Sequence, residues 1–151
     1  MTRPQPHTRS GFLSFHDVQT RWMDNDVYGH VNNVVYYAYF DSCVNGYLID
    51  KGLLDLEKGE TVGLVVHSSC SYFAPLSFPQ KAAAGLRVLK IGRSSVEYEI
   101  AIFIEGQEGA CAQGTFTHVY VDRMTRRPVP LSEKMRAALR PLVTEEGATP
   151  A

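Results

Sequence analysis

Residues 21–33 read RWMDNDVYGHVNN and run directly into the apolar segment VVYYAYF at residues 34–40. The first part gathers acids, asparagines and a histidine into one turn. The apolar part is ambiguous, because valine and tyrosine favour strands and a short apolar run also fits a buried helix. Length and punctuation decide it, since Asn32 or Asn33 can cap a helix and Gly52 follows Lys51 as a stop signal. The stretch therefore predicts a helix from about Asn33 to Lys51.

The first two turns of this helix are apolar on every side, which predicts that other structure encloses it. A strand at residues 11–22 precedes it. Four strand-like segments follow in a meander, and a short closing helix ends the pattern. These later segments are 62–74, 81–91, 95–105, 110–122 and 131–142. Short links favour antiparallel pairing, and one helix cannot supply the crossovers of a parallel sheet. We expect an α+β fold with a curved antiparallel five-stranded sheet wrapped around a long central helix.

The chain of 151 residues is long enough for one domain with its own core. We predict a single domain at residues 11–143, a flexible N-terminal tail at 1–10 and a flexible C-terminal tail at 144–151. A single sheet of this size leaves an edge uncovered. Self-association is therefore expected, as a homodimer or as a homotetramer built from two dimers.

Composition excludes several classes of partner. A formal net charge of -1 gives no electrostatic reason to expect nucleic acid. No apolar run approaches the roughly 20 residues of a membrane span, and residues 1–10 lack the apolar stretch of a secretory signal. Three cysteines without metal spacing indicate reduced thiols in a cytoplasmic protein.

The acids ahead of the helix suggest chemistry. Free N–H groups at a helix start can hold a carbonyl oxygen as it becomes an oxyanion, and a nearby carboxylate can attack the carbonyl or activate water. A carboxylate is a weak base, so a reactive acyl group such as a thioester suits it best. A calcium loop does not fit, because Tyr28 and Val35 occupy ligand positions of that pattern. We predict no metal and no cofactor, with CoA entering as part of the substrate.

Residues 21–26, 29–33 and 36–41 together resemble the signature of the 4-hydroxybenzoyl-CoA thioesterase-like family. This resemblance implies the hotdog fold, in which a curved antiparallel sheet wraps a central helix. It also implies that Asp26 is the catalytic carboxylate and that the backbone N–H near Asn33 polarises the thioester carbonyl. Asp24 would then be a supporting residue.

The resemblance implies further site residues. Plant acyl-carrier-protein thioesterases use an Asp-x-Asn-x-His set that reads Asp26, Tyr28 and His30 here, so the asparagine position is not matched. We assign His30 to the catalytic set and Tyr28 to substrate binding. The turn at Arg93, Ser94 and Ser95 resembles the place where hotdog proteins often meet the nucleotide end of CoA, and its side chains suit a phosphate.

The sequence thus predicts a hydrolase, an acyl-CoA thioesterase that releases a free carboxylic acid and CoA. Asp26 would serve as general base or as nucleophile. Two alternatives stay open, a thioesterase acting on acyl-carrier protein and a non-catalytic hotdog module that binds acyl-CoA.

Overall fold

The computed structural model describes residues 3–55 and 57–144, which carry one five-stranded antiparallel sheet and two α-helices. In chain order the elements are β1 (Ser14–Gln19), α1 (Val35–Asp50), β2 (Thr61–Tyr72), β3 (Lys81–Ile91), β4 (Ser95–Ile104), β5 (Ala112–Asp122) and α2 (Glu133–Leu139). The predicted α+β hotdog architecture is confirmed. Among the described helices, none is long and apolar enough to cross a membrane.

The order of strands differs from the predicted meander. The sheet runs β1-β3-β4-β5-β2, so β2 pairs with β5 at the edge opposite β1 rather than with β3. The link at residues 73–80 carries the chain between these positions. It is not a free loop, because Leu76 in its middle is fully buried in the main core. This burial, together with two prolines in the link, keeps β2 and β3 from forming a simple hairpin.

Helix α1 packs on one face of the sheet through a continuous set of side chains. Its buried residues are Tyr36, Tyr39, Phe40, Cys43, Val44 and Leu48. The outer side of the helix is left uncovered within the single chain, since Val34 beside the helix start is 65% exposed and Ile49 is 49% exposed. One sheet can cover only one side of a helix. The helix end follows the prediction, because Gly52 has φ +69° and its amide bonds to the Ile49 carbonyl.

Strand β2 is the most exposed strand. The predicted inward row at residues 62–72 is not kept, because the register with β5 shifts between Val65 and His67. Leu64, Val65 and Val66 are all exposed. The single chain therefore presents a 12-residue edge strand with aliphatic side chains to its surroundings.

The N-terminal segment differs from the predicted loose tail. The His7 Nε2 lies 3.1 Å from the Glu99 carboxylate, which also accepts a 2.6 Å bond from Arg87. The Arg87 guanidinium in turn donates to the Gly11 carbonyl and lies over the Phe12 ring. Ion pairs and apolar packing thus fix this segment on the outer face of the sheet. Residues 1, 2 and 145–151 of the predicted tails lie outside the described residues.

Candidate functional site

The signature turn forms a closed loop ahead of α1. The Asp26 amide donates to the His30 carbonyl at 2.9 Å, and the Gly29 amide donates to the Asp26 carbonyl at 3.0 Å. Gly29 has φ +80°, a conformation that favours glycine. Asn25 and Val31 close the loop through an antiparallel bridge. The loop is therefore defined by its own backbone bonds.

The same loop is docked onto the link between β2 and β3. The Val31 amide donates to the Leu76 carbonyl at 2.7 Å, and the Phe78 amide donates to Asn25 Oδ1 at 3.0 Å. Because Leu76 is buried in the core, these bonds tie the loop to a rigid part of the molecule. The strand order that the sequence did not predict is what brings this link beneath the loop.

Asp24 anchors the loop from below. It is 1% exposed, and its carboxylate accepts bonds from the Tyr39 hydroxyl at 2.7 Å and from the Arg21 backbone and guanidinium. Burial acts to raise the pKa of this carboxyl, but the bonds from Tyr39 and Arg21 outweigh burial and hold the pKa below its usual range. Asp24 is thus an ionised structural residue, in line with its predicted supporting role.

Asp26 lies in an open cleft of about 650 Å³ at this end of the molecule. The lining residues are Trp22, Asn25, Asp26, Val27, Tyr28, Gly29 and Asn32. The Asp26 side chain is partly buried, and its Oδ1 accepts the Tyr28 amide at 2.9 Å. Its Oδ2 has no hydrogen-bond donor among the described residues. One carboxylate oxygen is therefore held by the turn while the other is unpaired.

The start of α1 lies immediately after this loop. The helix begins at Val35 rather than at Asn33, and its cap residue Val34 makes no side-chain bond. Asn32 lies two positions before the cap, and its Oδ1 accepts the Val34 amide at 3.1 Å. The backbone N–H of Asn33 has no acceptor within residues 3–55 and 57–144. Its backbone carbonyl accepts the Tyr72 hydroxyl at 3.0 Å. Asn32, not Asn33, lines the cleft with Asp26.

The histidines do not converge on the cleft. His30 is exposed and takes part in the loop through its carbonyl. His67 is exposed on β2, and His118 is buried on β5, where burial lowers its pKa. In the described parts of the chain, no three His, Cys, Asp or Glu side chains are grouped so that they could hold a metal ion.

The predicted nucleotide-binding turn lies elsewhere in the chain. Arg93 and Ser94 connect β3 to β4, and Ser95 is the first residue of β4. The carbonyls of Arg93 and Ser94 accept backbone amides from Leu131 and Tyr120. Strand β3 begins beside β1 near the signature loop and ends at this turn. Eleven extended residues at about 3.3 Å each separate the two places by roughly 35 Å. One chain does not bring this turn into the Asp26 cleft.

Two features of the site were missed at the level of sequence. The first is the set of bonds from Arg21 and Tyr39 to Asp24, which a buried acid beside an arginine and a helical tyrosine could have suggested. The second is Trp22, which lines the cleft and is 81% exposed. A tryptophan within a polar turn, outside the predicted core, was the available signal for it.

Residues 18–139 match the model of the thioesterase-like superfamily. The crystal structure of the PA5185 protein from Pseudomonas aeruginosa strain PAO1 is similar to this chain at 55% identity, covering 94% of this chain and 99% of that one, with a TM-score of 0.90.

Two further relatives extend the comparison. A thioesterase from Thermus thermophilus, complexed with coenzyme A and zinc, is 32% identical, covers 87% of this chain and 95% of its own, and has a TM-score of 0.72. The YsmA protein of Bacillus subtilis strain 168 is 22% identical over 137 residues, which is 90% of this chain and 91% of that protein.

Proposed function

Because this chain belongs to the thioesterase-like superfamily, we propose that it hydrolyses acyl-CoA thioesters to a free carboxylic acid and CoA. The observation that carries the proposal is the Asp26 carboxylate, partly buried in a cleft just ahead of α1 with one oxygen unpaired among the described residues. The coenzyme A held by the similar thioesterase from Thermus thermophilus supports CoA as the carrier of the acyl group.

Asp26 has two chemical routes to the product. As general base, Asp26 takes a proton from water, and the resulting hydroxide adds to the thioester carbonyl. The C–S bond then breaks, and the leaving thiolate takes that proton from Asp26. As nucleophile it adds to the carbonyl itself, expels the thiolate and forms an anhydride that water then cleaves. Both routes consume one water and release one acid and one thiol. The bond from the Tyr28 amide supports either route, because it orients the carboxylate.

The Asn33 amide is proposed to polarise the thioester carbonyl. Among residues 3–55 and 57–144 the backbone N–H of Asn33 has no hydrogen-bond acceptor, which supports this role. The positive end of the α1 dipole also lies beside it. Tyr28 lines the cleft and is proposed to contact the substrate. His30, exposed on the same loop, is proposed to bond water or product rather than to act as the main base.

A second copy of the chain is proposed to complete the assembly by pairing β2 edges around a two-fold axis. The unpaired 12-residue edge and the exposed Leu64, Val65 and Val66 support this arrangement, since such edges invite pairing in water. The two-fold axis would bring the Arg93–Ser95 turn of one chain to the end of the assembly where the partner has its cleft. The phosphates of CoA are proposed to bind there.

We expect light scattering to give about twice the chain mass of 16.8 kDa, or a multiple of that dimer. Val66→Lys should shift the protein to the monomer, because a charge would then be buried in the strand pairing. Met124→Lys, at a side chain that is 87% exposed in a turn, is the matched control and should leave the mass unchanged. A wild-type monomer would contradict the dimer.

The proposed activity is tested by trapping free thiol from short, long and aromatic acyl-CoAs. Hydrolysis of at least one of them is expected, with equal amounts of acid and thiol. The same acyl groups on acyl-carrier protein form a parallel series, and faster turnover there would assign the carrier instead. Thermal stabilisation by acyl-CoA without thiol release would contradict the enzyme and indicate a binding module.

A further inference from the structure

Two highly exposed aromatic side chains line the cleft with Asp26, Tyr28 and the larger Trp22. The Trp22 side chain is 81% exposed, and it lines the same cleft as Asp26 and Tyr28. The Phe78 ring meets the Trp22 indole edge-on at a centroid distance of 6.1 Å. Large aromatic rings usually lose most of their exposure on folding, so an indole held open in a cleft has apolar area left to bury against a ligand.

The backbone that carries Trp22 is fixed. Trp22 opens a short 3-10 turn that ends at Asp24, and the buried Asp24 carboxylate bonds to Arg21 immediately before the turn. The Tyr39 hydroxyl on α1 donates to the same carboxylate. The indole is therefore presented from a rigid turn, and a ligand that stacks on it need not first order the backbone.

The position of this ring decides which part of a thioester it would meet. A carbonyl under attack lies beside Asp26, so the group attached to that carbonyl lies in the same cleft. The nucleotide of CoA is separated from the carbonyl by the whole pantetheine arm. An apolar wall at this place, formed by Trp22, Val27 and Tyr28, suits an apolar acyl group better than a charged one.

Resting on the proposed thioesterase function, we propose that Trp22 determines acyl specificity by packing its indole against a bulky apolar acyl group. Trp22 is a specificity residue and takes no part in the bond changes. The preferred substrates are then aromatic or medium-chain acyl thioesters rather than acetyl thioesters, because an acetyl group is too small to cover the ring.

The test compares benzoyl-CoA, octanoyl-CoA and acetyl-CoA with wild type and Trp22→Ala. We expect kcat/KM for the two bulky substrates to fall at least about tenfold, and that for acetyl-CoA to fall less than about threefold. Trp22→Phe should restore most of the loss, because it returns an apolar ring. The melting temperature should change little, since the side chain is mostly exposed.

Met23→Ala is the matched control. Met23 is the adjacent residue and is 75% exposed, but it does not line the cleft. Its removal should leave the ratio of bulky to acetyl activity unchanged. Three results would overturn the specificity role. Trp22→Ala could lose activity equally on all three substrates or change its molecular mass. Met23→Ala could change the ratio of bulky to acetyl activity as much as Trp22→Ala does. A wild type that hydrolyses no thioester would refute the proposed function itself.

Discussion

Replacing Asp26 with asparagine is expected to lower kcat for acyl-CoA hydrolysis by about a hundredfold or more. The amide is nearly the same size, and its Oδ1 can still accept the Tyr28 amide, so the turn should survive. What disappears is the unpaired carboxylate oxygen, because an amide neither takes a proton from water nor attacks a carbonyl. KM should change less than kcat, since the other residues that line the cleft are unchanged.

The control for this prediction is Asp50→Asn. Asp50 is an exposed acid at the last residue of α1, at the opposite end of the helix from the cleft. The Asp50→Asn variant should keep the wild-type kcat. Both variants, Asp50→Asn and Asp26→Asn, should have the same melting temperature. Activity of Asp26→Asn within about threefold of wild type would remove the carboxylate from the mechanism, since a general base normally contributes far more. The family placement would stand even then, because it rests on the whole chain.

Local signals predicted the elements of this fold well. Strand β3 was predicted at residues 81–91 and is observed at Lys81–Ile91, where a tight turn follows it. A closing helix was predicted within residues 131–142, and α2 begins directly after Ser132, whose Oγ accepts the Met135 amide. The stop at Gly52 followed from the same kind of local chemistry.

Partner choice and exposure were not predictable in the same way. Strand β2 pairs with β5 through long-range register, and nothing within residues 62–74 specifies that partner. The sequence pattern predicted that the apolar side chains of β2 and of the outer side of α1 are buried. Within one chain they are not all buried, since Val66 on β2 is 59% exposed. The proposed dimer accounts for this difference, because pairing of two β2 edges would bury side chains that the single chain leaves exposed.

The site shows the same division. The motif indicated that Asp26 carries the chemistry and that Asp24 supports it, and Asp24 is indeed the buried member of the pair. The motif did not reveal that Tyr39, on the helix, holds Asp24. Such a bond depends on the angle at which α1 crosses the loop, so the acid and the helical tyrosine could suggest the bond without fixing it. Trp22 was missed for a related reason, because its exposure depends on the packing of the whole loop.

The largest expected effect on stability comes from Asp24→Ala. The change removes the acceptor of the Tyr39 hydroxyl and leaves that hydroxyl without its partner on a residue that is only 8% exposed. The Arg21 side chain is 61% exposed, so its guanidinium can be hydrated when Asp24 is removed. Loss of the Arg21–Asp24 ion pair therefore destabilises the fold less than loss of the Tyr39 bond. We expect the free energy of unfolding to fall by about 2–4 kcal/mol, measured by urea denaturation at pH 7.

A double-mutant cycle with Tyr39→Phe separates the two partners of Asp24. Tyr39→Phe removes only the hydroxyl and should cost about 1 kcal/mol, because the carboxylate keeps its bonds from Arg21. The double variant should be less destabilised than the sum of the single variants, since no unpaired hydroxyl is then buried. Strict additivity would show that the Tyr39 bond does not hold the loop.

The same carboxylate predicts a pH dependence with a definite sign. The pKa of Asp24 is lower in the folded protein than in the unfolded chain, so the unfolded state binds more protons in acid. Its contribution to stability is complete above the unfolded value of about 3.9 and is lost as the pH falls through the folded value. Asp24→Ala should therefore lose less stability than wild type on acidification. A parallel loss in both proteins would assign the acid sensitivity to other carboxylates.

Because Asp24 also fixes the turn that presents Trp22 and Asp26, the variant should lose acyl-CoA turnover at temperatures well below its own melting transition.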